Sequence, residues 1–149
     1  MVDPILIIAA LLASAFLYPL IEKLAGSSAK FIALALMAAL TASVAAWIPA
    51  VAGGASISSA TAGFSAPLSI NLALGLGETL ALGLVFFLGT LALFQLLFRN
   101  EEPWDGRRVV LFFILMLGAA GLIMTRDLFN LFVFMEISAL SLYGILSTS

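Results

Sequence analysis

One carboxylate in this chain sits where a carboxylate is costly. The stretch Thr125 to Tyr143 opens with a polar corner, Thr125-Arg126-Asp127. It then turns apolar and holds a single acid, Glu136. Wound as a helix at ~1.5 Å per residue, Glu136 lies roughly 14 Å beyond Asp127, near the centre of a ~30 Å hydrocarbon layer. Insertion scales put the cost of such a group at about 3 kcal/mol, so an ionisable residue there is a functional-site hypothesis by default. The chemistry it offers is proton uptake and release, because desolvation disfavours the charged form. On a helix, Phe129, Phe132, Val133, Leu140 and Tyr143 share its side. Asp127 points roughly the other way. It reads as an N-cap, accepting from the free amides of Phe129 and Asn130 at the helix start. The structural alternative for Glu136 is a polar contact that glues neighbouring helices together. Lys23, Lys30 and the arginines all fall at expected membrane edges. The partner of Glu136 is therefore water, another carboxylate or a residue of another polypeptide.

The elements that position these residues follow from composition. Of 149 residues, 64% are hydrophobic and 9% charged, against about 25% charged in soluble domains. This is an all-α integral membrane protein. It has no cysteine and no histidine, which excludes disulfides, Cys-ligated clusters, His-ligated haem and the usual zinc sites within this chain. No cofactor and no metal are expected here. The net charge of −2 carries no nucleic-acid footprint. The opening Met1-Val-Asp-Pro lacks the basic region of a secretory signal, so the first apolar run reads as an uncleaved span.

Five spans are expected, all in one membrane domain over residues 1–149. The first covers 4–21, with Pro4 suited to a helix start and Pro19 able to bend or stop it. A short polar link holds Glu22, Lys23, Gly26, Ser27, Ser28 and Lys30. The second span, 31–48, is alanine-rich, a composition that lets helices approach closely. Trp47 is expected at headgroup level, with Pro49 closing the span. Residues 49–66 are rich in Gly, Ser and Ala and read as loop. Residues 68–77 then alternate strictly: Leu68, Ile70, Leu72, Leu74 and Leu76 against Ser69, Asn71, Ala73, Gly75 and Gly77. That period predicts an extended or β-hairpin arm, the alternative being an early start of the next helix. The third span is 78–98, the fourth 109–124 and the fifth 127–146. The fourth carries a small-residue patch, Gly118-Ala-Ala-Gly121, fit for tight packing.

Loops between five spans alternate sides. One side holds Lys23, Lys30, Arg99, Arg107 and Arg108, and the other only Arg126. The positive-inside rule then places the N-terminus and the long loop outside. Glu78 reads as an acid favoured by the dipole at a helix start. Glu101, Glu102 and Asp105 read as a solvated loop. The phenylalanines at 129, 132 and 134 read as packing. Gly75, Gly77, Gly83 and Gly89 make no nucleotide motif.

The run from Gly118 through Met124-Thr-Arg-Asp-Leu-Phe-Asn-Leu-Phe-Val-Phe-Met-Glu-Ile-Ser-Ala-Leu-Ser-Leu-Tyr143 resembles the fourth and fifth helices of the antiporter-like membrane subunits. That family includes the large membrane subunits of Mrp-type Na⁺/H⁺ antiporters, related subunits of membrane-bound hydrogenases and the proton-pumping subunits of respiratory complex I. The Asp-Leu-Phe-Asn-Leu-Phe-Val-Phe-x-Glu wording is closer to the Mrp and hydrogenase branch. The resemblance implies that Glu136 matches the family's intramembrane glutamate. In the family that glutamate pairs with a lysine on the seventh helix, and the pair passes protons along a hydrated axis. Family members have about fourteen helices, whereas five spans are present here. Either a second chain supplies the remaining helices and the lysine, or this is a shortened subunit.

The expected function is therefore H⁺ or Na⁺ translocation within a multisubunit antiporter or energy-converting redox complex of the cell membrane, with Glu136 as the proton-accepting group. Expected partners are other membrane subunits, the lipid bilayer and hydrophilic redox subunits. Two other classes remain open. One is a scaffold subunit that holds neighbours through small faces near Gly118 and Ala42. The other is a small homo-oligomeric channel or transporter. An enzyme in its own right is not expected, since no nucleophile–base pair or redox ligand set is visible.

Overall fold

The computed structural model describes residues 3–60, 71–98 and 105–147. Its elements run α1 Pro4–Ala25, α2 Ala29–Ala45, α3 Ile48–Ala52, β1 Ile57–Ala60, β2 Asn71–Leu74, α4 Leu76–Phe98, α5 Gly106–Met124 and α6 Leu128–Ser147. Four helical stretches are long and apolar enough to cross a membrane. The first of these, Pro4–Ala52, contains both α1 and α2. Between them lies a short 3-10 turn, Gly26–Ser28, where Gly26 takes φ 54°. A side chain disfavours that left-handed region, and glycine tolerates it. The chain reverses there and α2 packs back on α1. The architecture is thus an all-α membrane bundle with five long helices, as composition requires.

Local chemistry explains the helix starts. Asp3 accepts from the Ile5 amide at 3.0 Å and Pro4 occupies the first turn of α1. Asp105 accepts from the Arg107 amide at 3.0 Å and opens α5. It is an N-cap rather than a solvated loop residue. Residues 99–104, including Arg99, Glu101 and Glu102, lie outside the described residues. Pro19 does not stop α1, which continues to Ala25 and carries Glu22 with it. Bundle packing outweighs the one helix bond that proline removes.

Helices α1, α2, α4 and α5 pack in a ring, and α5 also carries α6 on its outer side. Half of the most apolar window of α5 is buried, against 11% for α6. Apolar residues at helical spacing supply the core: Ile7, Leu11 and Tyr18 from α1, Met37 and Val44 from α2, Leu82, Phe86 and Leu93 from α4, and Phe113 and Ala120 from α5. α2 and α4 are also joined by hydroxyls. Thr41 Oγ1 lies 2.9 Å from Thr90 Oγ1 and donates to Phe86 O at 3.2 Å. Such bonds between membrane helices contribute about 0.6 kcal/mol each.

Three expectations need correction between α2 and α4. Trp47 is 2% exposed and belongs to the core, not to the lipid interface. Pro49 sits in the first turn of α3, a position its fixed φ suits, instead of closing the span. The supposed loop 49–66 contains α3 and β1, because a pairing partner supplies strand structure that composition does not show. β1 and β2 are antiparallel, with Ile57 opposite Leu74 and Ala60 opposite Asn71. Period two buries Leu72 and Leu74, and α4 takes over at Leu76. Residues 68–70 of the expected strand lie outside the described residues.

At the opposite end of the bundle, α1 meets the start of α5. A Cβ placed on Gly106 would come within 2.6 Å of Glu22 Oε1. Gly106 therefore makes room for a carboxylate at the positive end of α5. Gly106→Ala is expected to cost about 1–3 kcal/mol through overpacking, read as a lower melting temperature in detergent. Unchanged melting would mean that Glu22 swings away freely.

Candidate functional site

The corner between α5 and α6 is built by short-range polar bonds. The Asp127 carboxylate accepts from the Phe129 amide at 3.1 Å through Oδ1. Its Oδ2 takes the Asn130 side-chain amide at 2.6 Å. Asn130 thus engages Asp127 through its side chain and not through its backbone N–H. The Leu131 amide bonds Asp127 O at 2.9 Å, which is the first turn of the helix. Losing an N-cap costs about 1 kcal/mol. Asp127→Ala is expected to lower stability by that amount while Asp127→Asn stays near wild type, both read by unfolding in detergent. Equal behaviour of the two variants would deny the capping role.

The corner is also tied to the hairpin. Thr125 forms a β-bridge with Leu72, and the Arg126 amide donates to Asn71 O at 3.0 Å. The Arg126 guanidinium pairs with the Glu78 carboxylate. Glu78 Oε2 in turn accepts the Gly75 amide at 3.0 Å. Glu78 is therefore more than an acid at a dipole, since it reaches across to the start of α6. The sequence alone offers Arg126 no partner. The pair is 48 residues apart, and no local pattern announces it.

From this corner α6 runs along α5. Its inner face carries Phe134 and Ser141, both buried. Phe134 seats where α5 has Gly121, and Ser138 where it has Gly118. A Cβ on Gly118 would lie 3.0 Å from both Phe134 O and Ser138 N, so only glycine lets these backbones approach. Ser138 and Ser141 bond back to Phe134 O and Ile137 O at 2.8 and 2.7 Å. These hydroxyls are thereby satisfied within α6.

Glu136 is on the other face. It is exposed, midway along α6, and flanked by exposed Phe132, Met135, Leu140 and Tyr143. Among the described residues, no ion pair or side-chain hydrogen bond engages it. The polar groups of this stretch thus fall in two places. Asp127 and Asn130 belong to the corner, and Glu136 stands apart on an apolar outer face. A carboxylate held so, in a helix that crosses a membrane, can exchange a proton with whatever covers that face.

No protein-family model matches the chain, and no curated protein does. Among solved structures, it is similar to a chain of the membrane-bound sulfane sulfur reductase, an archaeal respiratory membrane complex. The TM-score is 0.79 at 34% identity, over 95% of this chain. The two share one fold. The chain spans 29% of the length of that structure's chain.

Proposed function

We propose that this chain is a membrane subunit of an energy-converting respiratory complex and takes part in H⁺ or Na⁺ translocation there, with Glu136 as the proton-accepting group. The observation that carries the reading is Glu136 itself: one carboxylate, exposed at mid-helix on an apolar face that no other described element covers. Similarity to a chain of a respiratory membrane complex supports the setting. Within the antiporter-like subunits, the Asp127-to-Glu136 wording favours the Mrp and hydrogenase branch.

The mechanism follows from electrostatics. With its face covered and water scarce, the carboxylate is stabilised as the neutral acid, and a proton is held. Approach of a cation on a neighbouring helix stabilises the charged form, and the proton leaves. The cation comes from a polypeptide segment that covers α6. Two of the chain's own cations are engaged elsewhere, since Arg126 is committed to Glu78 and Lys30 lies over the Phe31 and Phe98 rings.

The experiment is purification of the tagged native chain in mild detergent, with every co-purifying protein identified by mass. Membrane subunits carrying an intramembrane lysine, beside hydrophilic redox subunits, are the expected result. Recovery of the chain alone or as a homo-oligomer would instead favour a small transporter. The scaffold reading keeps one supporting observation: α2 shows exposed small residues at Ala35, Ala38, Ala39 and Ala42. Its other proposed face is taken, because Gly118 is occupied by α6.

A further inference from the structure

We infer that Arg126 and Glu78 form a clamp that fixes the tilt of α6 and thereby sets where Glu136 sits. The inference rests on the reading of Glu136 as the proton-accepting group. Along its length α6 packs chiefly on α5 and is otherwise open. A helix held along one side keeps freedom to tilt about its start. At that start, three attachments converge: the bridge from Thr125 to Leu72, the bond from the Arg126 amide to Asn71 O, and the ion pair from Arg126 to Glu78. Of these three, the ion pair is the one that reaches α4.

An exposed ion pair is usually weak, because two long side chains must be ordered to make it. Here one of them is ordered already. Glu78 folds back so that Oε2 holds the Gly75 amide, which leaves Oε1 for Arg126. Residue 75 is a glycine, and a Cβ there would lie 2.9 Å from Glu78 Oε2. One carboxylate therefore joins the end of β2, the first turn of α4 and the start of α6. Glu136 lies roughly 14 Å along the helix from Asp127, so a tilt of about ten degrees moves it by about 2 Å. A displacement of that size breaks a hydrogen bond. The clamp makes Arg126 and Glu78 positioning residues for Glu136.

The test uses the native membrane assembly. The chain has no cysteine, so two can be introduced on exposed positions, Leu91 of α4 and Leu146 of α6, and spin-labelled. Distances between them report the tilt. The second readout is the rate at which an apolar carbodiimide labels Glu136, read by peptide mass. Glu78→Gln and Arg126→Gln should each broaden the distance distribution and change the labelling rate by roughly two- to five-fold. The charge exchange Glu78→Arg with Arg126→Glu should recover most of both.

Single variants that match wild type in both readouts would overturn the clamp. So would an exchange variant that recovers neither. Neither readout depends on transport. If the clamp variants shift α6 while Glu136→Gln transports normally, the clamp stands and the proton role of Glu136 falls.

Discussion

Glu136→Gln is expected to reduce ion transport by the native assembly to background, at least about ten-fold below wild type, with assembly intact. Glutamine keeps the size and shape of the side chain but cannot gain or lose a proton at neutral pH. It is also cheaper to hold in hydrocarbon than a carboxylate, which costs about 3 kcal/mol at mid-helix on insertion scales. Folding and assembly should therefore be equal or better, so a loss of transport cannot be assigned to a loss of protein. The side chain faces away from the bundle, which further removes it from the packing of this chain. Glu136→Asp should keep partial transport, since the acid survives on a shorter stem. The measurement is proton uptake by proteoliposomes containing the purified assembly, compared per unit of assembled complex. Transport within about two-fold of wild type for the glutamine variant would remove Glu136 from the mechanism and bring the scaffold reading forward.

The second large effect belongs to the α5–α6 contact. Gly118→Ala with Gly121→Ala is expected to displace α6 and to cost about 1–3 kcal/mol at each position. At Gly118 the added carbon meets the backbone of α6, with Phe134 O and Ser138 N each at 3.0 Å. Backbone cannot rotate aside as a side chain can. At Gly121 it meets the Phe134 ring, the largest side chain that α6 buries. Little else holds α6 along its length, because only 11% of its most apolar window is buried. The loss should appear as a lower melting temperature in detergent and faster proteolysis after residue 125. Unchanged melting with unchanged proteolysis would show that the glycines are incidental. The same variants should weaken transport, because they move the helix that carries Glu136.

These two expectations draw on different kinds of information. The packing patch was legible as four small residues in an apolar run, Gly118-Ala-Ala-Gly121. What it receives was not, because a small residue states only that something comes close. The Asp127 cap was legible because an N-cap bonds amides two or three residues away. Its second bond, to the Asn130 side chain, depends on a rotamer and was missed. Glu78 shows the limit most clearly. Its place at a helix start could be read, but its pairing with Arg126 needed the hairpin, α4 and the α5–α6 corner in one place.

The sequence by itself determined the membrane class, the approximate placing of five spans, the caps and the depth of Glu136. These depend on composition and on neighbours within a turn, which is as far as local chemistry reaches. It misjudged Trp47, Pro49 and the segment 49–66, each of which takes its state from a distant partner. Only the tertiary structure decided that α5 is the most buried helix, that α6 lies on its outside, and that Glu136 faces away from the bundle. The reason is physical. A carboxylate's depth follows from counting residues along one helix. Its direction follows from which face of that helix the glycines of another will accept.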